Sequence, residues 1–141
     1  MAGQIQLEVI TPERRVLAET VDAVTVPGQN GELGILPGHT PLISQLQTGV
    51  LGYTKDGTTK HLHVSGGFVE VSSDKVSVLA EVAERPEEID AARARLAREH
   101  AEHALKASSK TEEDFEVARA KLERSMVRLQ LNAENQMTLA R

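Results

Sequence analysis

After Pro86 the chain runs to Arg141 without a glycine or a proline, whereas all ten glycines and all five prolines lie at or before that residue. This limits what each part can become. Glycine and proline punctuate turns, so their recurrence over 1–86 suits short strands joined by tight connections, and their absence over 87–141 suits uninterrupted helix. The stretch Glu84-Arg85-Pro86-Glu87-Glu88-Ile89-Asp90 is the joint. A proline followed by Glu87, Glu88 and Asp90 predicts a helix beginning at Pro86 with its acids in the first turn, where the positive end of the helix dipole favours negative charge. Two domains are expected, a strand-built one over 1–86 and a helical appendage over 87–141.

Ile5, Leu7 and Val9 alternate with Gln6 and Glu8, the period of a strand with one buried face. Apolar β-formers return at Val16-Leu17 and at Val21, Val24 and Val26. Further strand-like pieces fall at Leu33–Leu36, Val50–Thr54, Thr58–Ser65, Phe68–Val71 and Val76–Ala80. Asp56-Gly57 predicts a tight hairpin turn. Many short strands with no helix between them imply an all-β sandwich or barrel. With aromatic residues at 2%, its core is expected to be Val, Ile and Leu, with Phe68 as the one large ring.

Beyond Pro86 the period becomes helical. Ile89, Ala92 and Leu96, widened by Ala97, Ala101 and Ala104, predict the buried face of a first helix. Ala107-Ser108-Ser109-Lys110 interrupts it, and Thr111 with Asp114 three residues on predicts a variant capping box for a second helix. Phe115, Ala118, Leu122, Met126 and Leu129 form the expected stripe of that helix, with Arg119, Lys121, Arg124 and Arg128 on its flanks. A connection this short favours an antiparallel hairpin. Its apolar content is thin for the number of residues it orders, so a hairpin able to detach and rearrange is expected.

Charge and composition exclude several classes. The net charge is −5, with 6 basic and 10 acidic residues in 1–86 and 10 and 11 in 87–141. An acidic chain with few aromatics is not built to bind nucleic acid. The absence of cysteine removes thiol chemistry and disulfides. No long apolar run and no signal or transit segment is read, so neither membrane insertion nor secretion is expected. His61 with His63, and His100 with His103, share faces without a further ligand set, so no metal site is expected. No nucleophile–base arrangement points to an enzyme. The spaced glycines of Gly28–Leu42 lack the Gly-Lys-Ser/Thr ending of a phosphate loop and read as turns.

Val9-Ile10-Thr11-Pro12-Glu13, Gly31-Glu32-Leu33-Gly34-Ile35-Leu36-Pro37-Gly38-His39, Val64-Ser65-Gly66-Gly67-Phe68-Val69-Glu70-Val71 and Val76-Ser77-Val78-Leu79-Ala80 stand in the order and spacing of the epsilon subunit of bacterial F-type ATP synthases. The chain resembles that family over essentially its whole length. The resemblance implies a sandwich of about ten strands followed by a two-helix hairpin. It implies a non-catalytic rotor subunit, peripheral at the cytoplasmic face of the bacterial plasma membrane. Its expected partners are the stalk gamma subunit, the c subunits of the rotor ring, and the alpha and beta subunits of the catalytic head. Glu32 and His39 are placed by the resemblance in a loop facing the ring. Arg119, Lys121, Arg124 and Arg128 are the implied contact through which the hairpin obstructs hydrolysis.

Ile89-Asp90-Ala91-Ala92-Arg93-Ala94 is similar to the pattern with which some members bind ATP. The implied regulatory site comprises Glu84, Ile89, Asp90, Arg93, Ala94, His100, Arg124 and Arg128. No cofactor is otherwise required. Arginines suit phosphates, and Glu84, Asp90 and the backbone around Ile89 suit adenine and ribose. The chain departs from the tight-binding members in carrying His100 where they have arginine. Without that resemblance, a free-standing ATP-gated sensor and a small enzyme are the alternatives, the latter lacking any catalytic constellation.

Overall fold

The computed structural model describes residues 3–107 and 111–139. The chain divides into two compact units between Arg85 and Pro86.

The first unit contains ten strands in two five-stranded sheets. They are β1 (Ile5–Ile10), β2 (Arg15–Val21), β3 (Ala23–Gly28), β4 (Gly31–Ile35), β5 (Leu42–Gln45), β6 (Gly49–Lys55), β7 (Thr58–Ser65), β8 (Phe68–Ser72), β9 (Lys75–Leu79) and β10 (Val82–Glu84). One sheet has the order β2-β1-β9-β8-β5 and the other β10-β7-β6-β3-β4. β1 and β9 are parallel, Leu7 opposite Val76 and Val9 opposite Val78. The expected alternation holds in β1: Ile5, Leu7 and Val9 are buried. With Val69, Val71, Val76 and Val78 they face Val24, Val26, Leu51, Leu62 and Val64 of the other sheet in one aliphatic core.

One expectation for this unit is overturned. Phe68 is not a core ring; it is 49% exposed. In β8 the alternation puts Val69 and Val71 inward and Phe68, Glu70 and Ser72 outward. The buried ring is Tyr53 of β6, 4% exposed. Strands β5 and β10, absent from the periodicity reading, also form. β5 is an outer strand with no buried position, Ile43 and Gln45 being exposed, and β10 has only three residues.

Turn geometry accounts for the glycines. Asp56 and Gly57 have φ of +52° and +79°, the left-handed pair that a two-residue hairpin between β6 and β7 requires. Gly67, at φ +91°, lies where a Cβ would sit 1.9 Å from the Leu79 carbonyl oxygen. The Gly66-Gly67 turn is therefore possible only without side chains.

The second unit holds α1 (Ala91–Lys106) and α2 (Glu112–Leu139), preceded by a short 3-10 turn at Pro86–Glu88. The helix expected from Pro86 begins five residues later. Asp90 is the reason: in an extended conformation, φ −86° and ψ 104°, it accepts a hydrogen bond through its side chain from the Arg93 amide at 3.1 Å. It is an N-cap, and the first turn of α1 contains no acid. Of the expected interruption, Ala107 closes α1 with its amide donating to Ala104, and Ser108, Ser109 and Lys110 lie outside the described residues. Thr111 caps α2, its hydroxyl accepting from the Asp114 amide at 3.1 Å.

The seam of the hairpin also differs from the expected stripes. Leu96, Phe115 and Met126 are 53%, 44% and 54% exposed. Ala101 of α1 and Ala118 of α2 are buried as expected, joined by Ala94 and Ser125. Small residues allow the two helix backbones to approach, and Leu96, Phe115 and Met126 turn toward solvent while Leu122 and Leu129 stay partly buried. The buried Ser125 hydroxyl donates to the Leu122 carbonyl of its own helix at 2.8 Å, so it needs no partner across the seam.

Candidate functional site: a basic groove between the two helices

The alanine seam leaves space on one side of the hairpin. There α1 and α2 border an open groove of about 490 Å³. Ala97, Ala101 and Ala104 contribute short side chains from α1, and His100 stands among them. α2 supplies Lys121, Arg124 and Arg128, with Asp114 as the one acid in the lining.

Lys121 and Arg124 differ from Arg119 in their surroundings. Arg119 is held between Glu116 at 3.7 Å and Glu123 at 3.3 Å along its own helix. Among the described residues, Lys121 and Arg124 have no ion-pair partner. Three cations against one carboxylate give the groove a positive sign in a chain of net charge −5. Such a cleft suits phosphate oxygens, which guanidinium groups bind with two parallel N–H donors.

The residues of the implied nucleotide site fall into three places. His100, Arg124 and Arg128 line the groove together. Arg93 is exposed two turns before His100 on the same helix, about 10 Å along its axis, and is not part of the lining. Ile89 and Ala94 are buried side chains, and Asp90 is engaged as the cap of α1.

Glu84 belongs to the strand unit. Its carboxylate lies 2.8 Å from Nδ1 of His63, which is fully buried. The Nε2 of His63 has no hydrogen-bond partner. A proton on Nδ1, donated to the carboxylate, avoids an orphaned N–H on the other side of the ring.

Of the residues expected to face a rotor ring, Glu32 lies within strand β4 and not in a loop. The β3–β4 register continues through Pro27–Glu32 to Gly28–Gly31 and draws it into the hairpin. His39 follows β4 in the turn in which its own amide donates to the Leu36 carbonyl. Its Nδ1 donates to the Thr40 carbonyl at 2.6 Å.

Lys121 and Asp114 are the charged lining residues that the nucleotide pattern did not include. Their signal was the spacing Asp114, Ala118, Lys121, Ser125, Arg128, a single helix face that the larger apolar residues obscured.

Comparison with known proteins gives a consistent answer for both units. The model of the ATP synthase delta/epsilon chain beta-sandwich domain matches residues 4–86, and that of the same chain's long alpha-helix domain matches residues 87–131. The ATP synthase epsilon chain of Geotalea uraniireducens is 46% identical over 134 residues, covering 95% of this chain and 97% of that protein. The epsilon chain of Nitratidesulfovibrio vulgaris is 48% identical over 131 residues, 93% and 97% of the respective chains. Among solved structures, a chain in the Euglena gracilis mitochondrial ATP synthase OSCP/F1/c-ring assembly aligns with a TM-score of 0.78 at 27% identity. It covers 97% of this chain and 83% of that one. A chain in the central stalk and c-ring of the Tetrahymena thermophila mitochondrial enzyme shares the fold at a TM-score of 0.60 and 12% identity, covering 94% and 99%.

Proposed function

This chain belongs to the epsilon-chain family of ATP synthases, and we infer from that membership that it is a non-catalytic rotor subunit with a regulatory hairpin. The sandwich joins the gamma subunit of the stalk to the c subunits of the ring, with the Glu32 strand and the His39 turn on the ring side. On this reading it lies at the cytoplasmic face of the bacterial plasma membrane. Among the described residues no helix is long and apolar enough to cross a membrane.

The hairpin restrains ATP hydrolysis by laying the basic side of α2, through Arg119, Lys121, Arg124 and Arg128, against acidic surfaces of the alpha and beta subunits. The observation that carries this reading is the groove itself: Arg124 and Arg128 stand in it beside His100 and Lys121. The same two arginines serve either a nucleotide phosphate or the catalytic head. ATP therefore opposes inhibition by favouring the hairpin conformation that binds it, and only by its differential affinity for that conformation.

Deletion of residues 87–141 from the assembled complex tests the regulatory part. Hydrolysis is expected to rise and to lose its dependence on the hairpin, while torque coupling through the sandwich persists. Unchanged hydrolysis refutes inhibition by the hairpin. Calorimetry of the full chain with ATP tests the ligand, and heats indistinguishable from dilution at millimolar ATP refute it.

A further inference from the structure

His100 is the one imidazole in the lining of the groove. It is exposed on α1 and faces the lining of α2, which consists of Asp114, Val117, Ala118 and the three cations Lys121, Arg124 and Arg128. On its own helix the charged and titratable groups within one turn are Arg98, Glu99, Glu102 and His103, with Arg98 and Glu102 paired to each other at 3.6 Å. None of these four lines the groove. Imidazole is the side chain whose charge ordinarily changes between pH 5 and 8. In its charged form both ring nitrogens donate, and charge-assisted donation to a phosphate oxygen is roughly twice as strong as the neutral kind.

We propose that the groove takes up the phosphate groups of its ligand together with a proton on His100. The proposal rests on the nucleotide reading above and adds regulation to it. Phosphate oxygens among Lys121, Arg124 and Arg128 favour the imidazolium, and by reciprocity the imidazolium favours the phosphates. Ligand capture is then tighter in mild acid. A hairpin occupied by a phosphate ligand at low pH releases it as the pH rises, although no arginine in the groove changes charge.

The test is calorimetry of the full chain with inorganic tripolyphosphate, without magnesium, at pH 6 and pH 8, with ATP and adenosine in parallel. Tripolyphosphate itself gains protons in acid, an effect common to every variant. The reading is therefore the difference between wild type and His100→Gln. Wild type is expected to gain about tenfold in affinity over His100→Gln on going from pH 8 to pH 6, the scale of one charge-assisted contact. It is also expected to take up a proton on binding, visible as heats that vary with the ionisation enthalpy of the buffer. His100→Arg should bind tightly at both pH values, and His103→Gln should keep the wild-type profile. The His100 imidazole resonances should move toward the protonated form when ligand is added at constant pH.

Equal pH profiles in wild type and His100→Gln overturn the inference while leaving the anion site intact. Binding of ATP and adenosine without tripolyphosphate overturns it in favour of recognition through the base. Binding of none of the three overturns the nucleotide reading as well.

Discussion

Asp90 combines two assignments that a single substitution would confound, and its geometry allows them to be separated. Its side chain accepts from the Arg93 amide at 3.1 Å, and its backbone carbonyl accepts from the Ala94 amide at 3.0 Å. Asp90→Ala removes the first bond and leaves the second. Loss of an N-cap side chain costs about 1 kcal/mol, within a range of roughly 0.5 to 2. At 25 °C that is about a fivefold increase in the population of the opened first turn, and between roughly twofold and thirtyfold over the range. Amide hydrogen exchange of the full chain reads it directly: the Arg93 amide should lose protection by about that factor, while amides of β1 and β9 stay unchanged. Asp90→Asn keeps an acceptor of equal capping rank and removes only the charge near the helix N-terminus, worth about 0.3 to 1 kcal/mol. Most protection should therefore return. If Asp90→Asn binds ATP as wild type does, Asp90 acts through the helix alone; if it keeps protection and loses affinity, the carboxylate also meets the ligand. Unchanged Arg93 exchange in Asp90→Ala would refute the capping argument.

Gly67→Ala should destabilise the sandwich severely, because its Cβ collides with the Leu79 carbonyl from a left-handed backbone. The strain and overpacking together amount to roughly 2 to 5 kcal/mol, a loss of at least about 10 °C in the melting temperature. Gly57→Ala, with the same sign of φ and nothing within 4 Å, should lose only about 1 kcal/mol, and equal losses from the two would count against the collision. Tyr53→Ala should cost about 3 to 5 kcal/mol in urea unfolding and Phe68→Ala less than about 1, since only the first ring is enclosed by the core. The reverse order would mean that the buried and exposed faces of these strands have been exchanged.

Much of the architecture was legible in the sequence because it rests on local chemistry. The alternation of Ile5, Leu7 and Val9 requires one buried strand face at any sheet position. Asp56-Gly57 accepts the positive φ of a tight turn whatever it connects, and the absence of Gly and Pro after Pro86 leaves helix uninterrupted. Thr111 can cap α2 from its own hydroxyl. None of these depends on a distant partner.

What tertiary structure decided were the choices between faces. Phe68 and Tyr53 are equally apolar rings to a periodicity argument, and only the pairing of β8 with β5 and β9, and of β6 with β3 and β7, turns one outward and the other inward. Leu96, Phe115 and Met126 predicted the helix seam by size. Packing kept Ala101 and Ala118 of the expected faces and added Ala94 and Ser125, because a close approach of backbones favours small residues. That choice also made the groove. With alanines at the seam, His100 from one helix and Lys121, Arg124 and Arg128 from the other border one space. The sequence by itself determined where sandwich turns to helix and which groups could carry charge; the meeting of those groups required two helices to be laid side by side, a contact between residues more than twenty positions apart.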